Sequence, residues 1–239
     1  MKQSGRVFIT GDTHFTNDLS KLKRSQWETG YTLTKKDVLI IAGDFGFFWN
    51  HKRTKDEAYW LKWLDDRPWS TCFIDGNHEN HDLLDNLQKM NKFGDAVGIA
   101  GHSIFHLLRG RVYKINNKRI LTIGGAHSTD RAYREWGRSM WMQEEITEKD
   151  IDIAFRNIAI HHNKVDYVVT HCAPVEFSKL AIELSYAPFY TPDHSEEFLS
   201  MLLKEVEFKT WFFGHYHTEE YDNRNEKWCC VYNKIHEID

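Results

Sequence analysis

Five short, continuous apolar runs punctuate the chain, at residues 6–10, 38–42, 71–75, 165–170 and 210–213. Each is rich in branched or aromatic residues and gives way at once to glycine or polar residues, the pattern of a strand covered on both faces. Between them, apolar positions three and four apart predict helices over 56–64, 81–90, 149–162 and 195–206, with Asp56, Asp82, Asp150 and Ser195 as caps or first-turn residues. Strands alternating with helices predict an α/β layered fold.

A different texture marks "IFHLLRGRVYKINNKRILTIGGA", where two alternating strands flank an Asn-Asn pair that tolerates positive φ, so an antiparallel hairpin is expected. A second hairpin is expected in "EEYDNRNEKWCCVYNKIHEI". The charged, tryptophan-bearing segment 127–150 fits neither period and reads as a long ordered loop, a feature usually kept for function. There is no repeat, low-complexity tract or proline-rich linker, so residues 1–239 are expected to form a single domain.

Composition removes several classes. A net charge of −4 from 31 basic and 35 acidic residues, interspersed, supplies no cationic stripe for a long nucleic acid. No apolar run reaches the roughly 18 residues a bilayer span needs, and "MKQSGRVFIT" lacks the apolar stretch of a secretory leader, so a cytoplasmic protein is expected. The four cysteines, two of them adjacent at Cys229 and Cys230, match neither a disulfide framework nor a zinc pattern and are expected to be reduced.

What stands behind each strand carries the chemistry. Gly11-Asp12-Thr13-His14, Gly43-Asp44, Gly76-Asn77-His78-Glu79, Thr170-His171 and Gly214-His215-Tyr216-His217 follow the five runs in turn. Carboxyl ends of strands in open α/β sheets line a common crevice, so residues far apart in sequence can converge there. Oxygen and nitrogen donors without thiolate suit manganese, iron or zinc. On an extended backbone, residues two apart point the same way, which would let Asp12 with His14, and His215 with His217, approach one ion or two adjacent ones. The donors outnumber one tetrahedral site, whereas two ions about 3.5–4 Å apart sharing a carboxylate would use them all. The glycine before each donor would let the backbone come close to the ions. Of the other histidines, His81 and His127 are held as outlying candidates near the site.

The ordered set Asp12-x-His14, Gly43-Asp44, Gly76-Asn77-His78-Glu79, His171 and Gly214-His215-x-His217 resembles the calcineurin-like metallophosphoesterase superfamily, over residues 12 to 217. The resemblance implies a β-sandwich flanked by α-helices, with a dinuclear metal site at the C-terminal strand ends and phosphoester hydrolysis by a hydroxide bridging two divalent cations. Manganese heads the implied ions, with iron, zinc, nickel and magnesium as alternatives. It implies Asp12, His14 and His217 as ligands of one metal, Asn77, His171 and His215 as ligands of the other, and Asp44 as the bridge. His78 is implied to act beside the leaving-group oxygen, by protonation or by stabilising charge. In the protein-phosphatase branch the second block continues with an acid and an arginine; here Gly43-Asp44-Phe45-Gly46-Phe47-Phe48-Trp49 has neither, which disfavours protein phosphatase activity. A small or nucleotide-like mono- or diester is the expected substrate, with a non-catalytic scaffold or a nuclease on short strands as alternatives.

Within the 127–150 segment, Arg131, Arg134 and Arg138 could grip a phosphate and Trp136 or Trp141 could stack on a ring. The competing reading is a packed loop whose arginines pair with Glu135, Glu144 and Glu145. Oligomeric state has no signature in the sequence.

Overall fold

The computed structural model describes residues 4–183, 191–222, 225 and 227–239. In chain order its strands are β1 (Val7–Thr10), β2 (Val38–Ala42), β3 (Ser70–Ile74), β4 (Lys89–Lys92), β5 (Asp95–Ile99), β6 (Ile104–Leu107), β7 (Arg111–Ile115), β8 (Lys118–Ile123), β9 (Tyr167–Thr170), β10 (Thr210–Phe213), β11 (Glu220–Tyr221), β12 (Trp228–Cys230) and β13 (His236–Ile238). The helices are α1 (Lys55–Asp65), α2 (His81–Asp85), α3 (Glu148–Ile160), α4 (Val175–Glu183) and α5 (His194–Leu203).

Among the described residues the strands form two sheets, ordered β13-β1-β2-β3-β6-β5-β4 and β11-β12-β10-β9-β8-β7. The middle of each is parallel, β1-β2-β3-β6 in one and β12-β10-β9-β8 in the other, with antiparallel strands added at both edges. The apolar runs are continuous because both parities are buried. Val7, Ile9, Val38, Ile40, Cys72 and Ile74 face the layer between the sheets, where they meet Ile120, Val169 and Phe212 of the second sheet. Their neighbours Phe8, Leu39, Ile41 and Phe73 face outward onto Leu61, Leu64 and Trp69. On the far side of the second sheet, Leu121, Val168 and Trp211 pack against Ile151, Ala154 and Leu199 of α3 and α5. The result is a helix-flanked sandwich whose parallel strands all end along one rim, as the sequence led us to expect.

Several details differ from the periodic pattern. The helix expected over 81–90 stops at Asp85, because Phe93 and Gly94 adopt φ of +58° and +92° and turn β4 back against β5. Helix α4, which the periodic pattern does not predict, follows Pro174, whose fixed φ suits the start of a helix. The N-caps are Thr54, Asn80, Thr147 and Asp193, two or three residues before Asp56, Asp82, Asp150 and Ser195. Asp56, Asp82, Asp150 and Ser195 all occupy first turns, and Ser195 Oγ also accepts the Ile146 N–H at 3.0 Å. The Asn116-Asn117 hairpin forms with φ of +47° and +69°, and the C-terminal pairing is β11 with β12. Residues 127–147 are irregular apart from short 3₁₀ turns at Arg131–Tyr133 and Met142–Glu144. Phe45, Phe47 and Phe48 are core residues, and all four cysteines are free and buried. No helix among the described residues is long and apolar enough to cross a membrane.

Candidate metal centre

The five loops meet at the rim where β1, β2, β3, β9 and β10 end. Asp44 sits at their centre, 1% exposed. Its Oδ2 lies 3.1 Å from His14 Nε2, and its Oδ1 accepts the His78 backbone N–H at 2.8 Å and lies 3.3 Å from His171 Nε2. One side of Asp44 completes a cluster with Asp12, His14 and His217, whose donor atoms all lie within 4.8 Å of one another. On the other side, His171 Nε2 is 3.1 Å from Asn77 Oδ1 and its ring centroid is 5.1 Å from that of His215. All seven sequence-selected donors are thus brought together, and Asp44 touches both halves.

Convergence does not come from extended strands, as the spacing had implied. His14, Asp44, His215 and His217 have φ of +40°, +46°, +68° and +50°, a left-handed backbone that costs roughly 1–3 kcal/mol each outside glycine. These turns send His217 to Asp12 and His14, and His215 the other way to His171, so His215 and His217 serve different halves while Asp12 and His14, equally spaced, share one. The surrounding contacts hold the turns: Asp44 O accepts the N–H groups of Thr13 and His14 at 3.0 and 2.8 Å, and His215 N–H donates to the Asp12 carboxylate at 3.2 Å. Glu79, fully buried, accepts the N–H of Phe45 at 2.6 Å and shapes the turn after Asp44. Close approach explains the glycines. A Cβ on Gly43 would fall 2.0 Å from His171 Nδ1, and one on Gly76 would fall 2.1 Å from Asp44 Oδ1.

Partners behind the cluster aim its lone pairs inward. His14 Nδ1 is 2.8 Å from Asp18 Oδ2 and His171 Nδ1 is 2.8 Å from Ala42 O, which directs Nε2 of both rings at the cluster. Asn77 Nδ2 donates to Ser128 Oγ at 2.9 Å, leaving Oδ1 inward. His217 stacks on Tyr232, whose hydroxyl donates to Asp18 at 2.9 Å. Lys21, almost buried, donates to the carbonyls of Gly11 and Asp12 at 2.8 and 2.7 Å. Asp18, Lys21, Ser128 and Tyr232 carry no sequence signal because no fixed spacing ties them to the motifs, and Glu79 stands in the third motif without a sign of its role behind Asp44.

The electrostatics are those of a crowded acid–imidazole nest. Burial and the neighbouring Asp44 charge push the Asp12 carboxyl up despite His171. Burial would lower His14 and His171, but the hydrogen bonds and charge of Asp44 outweigh it and raise each to about 9. Asp44 itself is held well below the usual carboxylate range by His171 and His14, against burial. Burial next to His171 drives His215 down to about 3. Burial also lowers His78, reinforced by Arg134 and opposed by Asp44. Two buried carboxylates, an amide oxygen and imidazole nitrogens, all aimed at one space, fit divalent cations and not a soft ion.

A cavity of about 430 Å³ opens beside His14 and His78, walled by Phe15, Trp49, Asn50 and Asp56. The three arginines singled out in the 127–150 segment each pair with a glutamate: Arg131 with Glu145, Arg134 with Glu144 at 3.1 Å and Arg138 with Glu135 at 3.1 Å. Of the three, Arg134 touches the His78 ring and the Asn77 carbonyl. Trp136 is exposed, whereas Trp141 is buried with its Nε1–H on Asp82. His127 pairs with Glu145 at 3.0 Å, and His81 is buried and lines a separate cavity with Asp75, His106 and Arg109.

The family described as calcineurin-like phosphoesterase matches residues 5–219, a span that contains every residue of the cluster. Curated proteins offer no match to the chain.

Proposed function

Since the chain belongs to the calcineurin-like phosphoesterase family, whose chemistry is metal-dependent phosphoester hydrolysis, we propose that it hydrolyses a small phosphomonoester or phosphodiester at a two-cation centre bridged by Asp44. Asp12, His14 and His217 hold one ion, and Asn77, His171 and His215 hold the other. The observation that carries this reading is the set of lone pairs directed into one space from both sheets around a buried carboxylate. Cations bound there would neutralise phosphate oxygens and supply a nucleophile from water near neutral pH. The protein's own share is to hold the ester in line and to place the His78 ring at the edge of the adjoining cavity. Among the described residues that cavity's lining has Asp56 and Glu57 but no lysine or arginine, which supports an ester whose organic part carries no further phosphate.

Metal analysis combined with a phosphoester panel tests the reading. Manganese-loaded protein is expected to retain two ions per chain and to turn over p-nitrophenyl phosphate or its bis ester. Full metal occupancy without turnover on any ester would end it.

Metal uptake should also release protons. At neutral pH His14 and His171, both raised to about 9, carry protons in the metal-free cluster, and a cation needs their nitrogens bare. Affinity is therefore expected to climb as pH rises toward about 9 and to level off above it. Calorimetric titration in two buffers of different ionisation heat should report about two protons released per chain. Heats that do not depend on the buffer would contradict these ligand assignments.

A further inference from the structure

We propose that Arg134 is a positioning residue that makes His78 a neutral Nε2–H donor, so that His78 stabilises charge on the departing oxygen instead of transferring a proton to it. The inference rests on the hydrolysis proposed above.

The argument comes from what stands behind each imidazole. Behind Nδ1 of His14 is the Asp18 carboxylate, and behind Nδ1 of His171 is the Ala42 carbonyl; both are acceptors that keep a proton on Nδ1, so Nε2 is the nitrogen each ring bares to the cluster when a cation displaces its proton. Behind Nδ1 of His78, at 2.9 Å, is Nη2 of Arg134. A guanidinium has only N–H donors and keeps its charge, so here Nδ1 must accept and the ring proton belongs on Nε2. A second proton on Nδ1 would face an N–H head-on. The same ring type is therefore set as a ligand twice and as a donor once, by the chemistry of its rear neighbour.

Arg134 is locked in that role. Its side chain is 6% exposed, and Nη1 donates to Ser128 Oγ at 2.7 Å and to Glu144 Oε1 at 3.1 Å. Ser128 in turn donates to Glu144 Oε2 at 2.7 Å while accepting from Asn77 Nδ2. One wholly buried carboxylate, Glu144, thereby orients both Asn77 and His78. A guanidinium so engaged is not free to grip a substrate phosphate.

The test uses zinc-loaded, full-length protein with ring nitrogen NMR, the His78 signals being assigned with His78→Asn. The wild-type His78 ring is expected as the Nε2–H tautomer near neutral pH. Arg134→Met, which cannot donate, should mix the tautomers and lower kcat on an alkyl ester about tenfold to a hundredfold, with much less loss on p-nitrophenyl esters, whose leaving group needs little help. Arg134→Lys keeps a donor and should recover part of both signals. A wild-type ring protonated on Nδ1, or a tautomer unchanged in Arg134→Met, would overturn the proposal. Should Arg134→Met fail to fold because Glu144 is stranded, Arg134→Met/Glu144→Gln removes that charge and is read the same way. Absence of turnover in the wild type would sink the hydrolytic reading yet leave the tautomer measurement to decide the role of Arg134.

Discussion

Asp44→Asn is expected to abolish phosphoester turnover and metal retention together. The carboxylate touches both halves of the cluster, with His14 Nε2 on one oxygen and His171 Nε2 and the His78 N–H on the other. An amide of the same shape has one acceptor oxygen and an NH₂ that would face one of these groups, so one half loses its shared donor and the site loses a full negative charge. Changes in groups that merely support a ligand commonly cost tenfold to a hundredfold in affinity or activity; loss of a shared ligand should exceed about a hundredfold in kcat. Metal content after dialysis and turnover of bis-p-nitrophenyl phosphate provide the two readings, with circular dichroism to confirm folding. Two ions and near-normal turnover in Asp44→Asn would refute the bridging role.

The largest effect on stability is expected one residue before the Gly76-Asn77-His78 block. Asp75, 3% exposed, accepts from Arg109 Nε at 2.8 Å and from His106 Nε2 at 3.1 Å. Arg109 also donates to the Gln143 and Glu145 carbonyls at 2.6 and 2.8 Å, so this buried pair ties the end of β3 to the segment that carries Arg134 and Glu144. The "GGA" after β8 makes room for it: a Cβ on Gly124 would lie 2.4 Å from Asp75 O, and one on Gly125 would lie 2.7 Å from Arg109 Nη2. Removing one partner of such a pair strands the other charge, and Asp75→Ala or Arg109→Met should each cost about 3–5 kcal/mol in urea unfolding. The double variant should cost less than the sum of the two. Single-variant losses below about 1 kcal/mol would show the pair to be dispensable. Burial would raise the Asp75 carboxyl, but Arg109 and His106 hold it far below its ordinary value. Its contribution is accordingly complete above the unfolded-state value near 4 and declines as pH falls below that.

The fold was legible to the extent that apolar runs report two-sided burial. Residues 38–42 and 210–213 are strands with those same limits, because both of their faces are covered and every position except the leading Thr210 is apolar and buried. The helical pattern over 81–90 outruns the helix itself because Leu83, Leu84 and Leu87 keep helical spacing, while the Phe93-Gly94 turn and the pairing of β4 with β5 lie outside that local period. The donors were legible because each stands directly behind a strand in a short polar block.

Residue types and their order therefore determined the layered α/β class, the rim along which the strands end, and the seven polar residues that meet there, since strand burial and backbone turns are local consequences of side-chain chemistry, while the motif resemblance supplied the sandwich. Tertiary structure alone showed how the two halves form, because left-handed turns at His215 and His217 send apart neighbours that a strand would keep together. It also decided the function of Arg134. A charged side chain in a loop takes its role from whatever the fold sets within hydrogen-bond reach, here Glu144, Ser128 and the Nδ1 of His78.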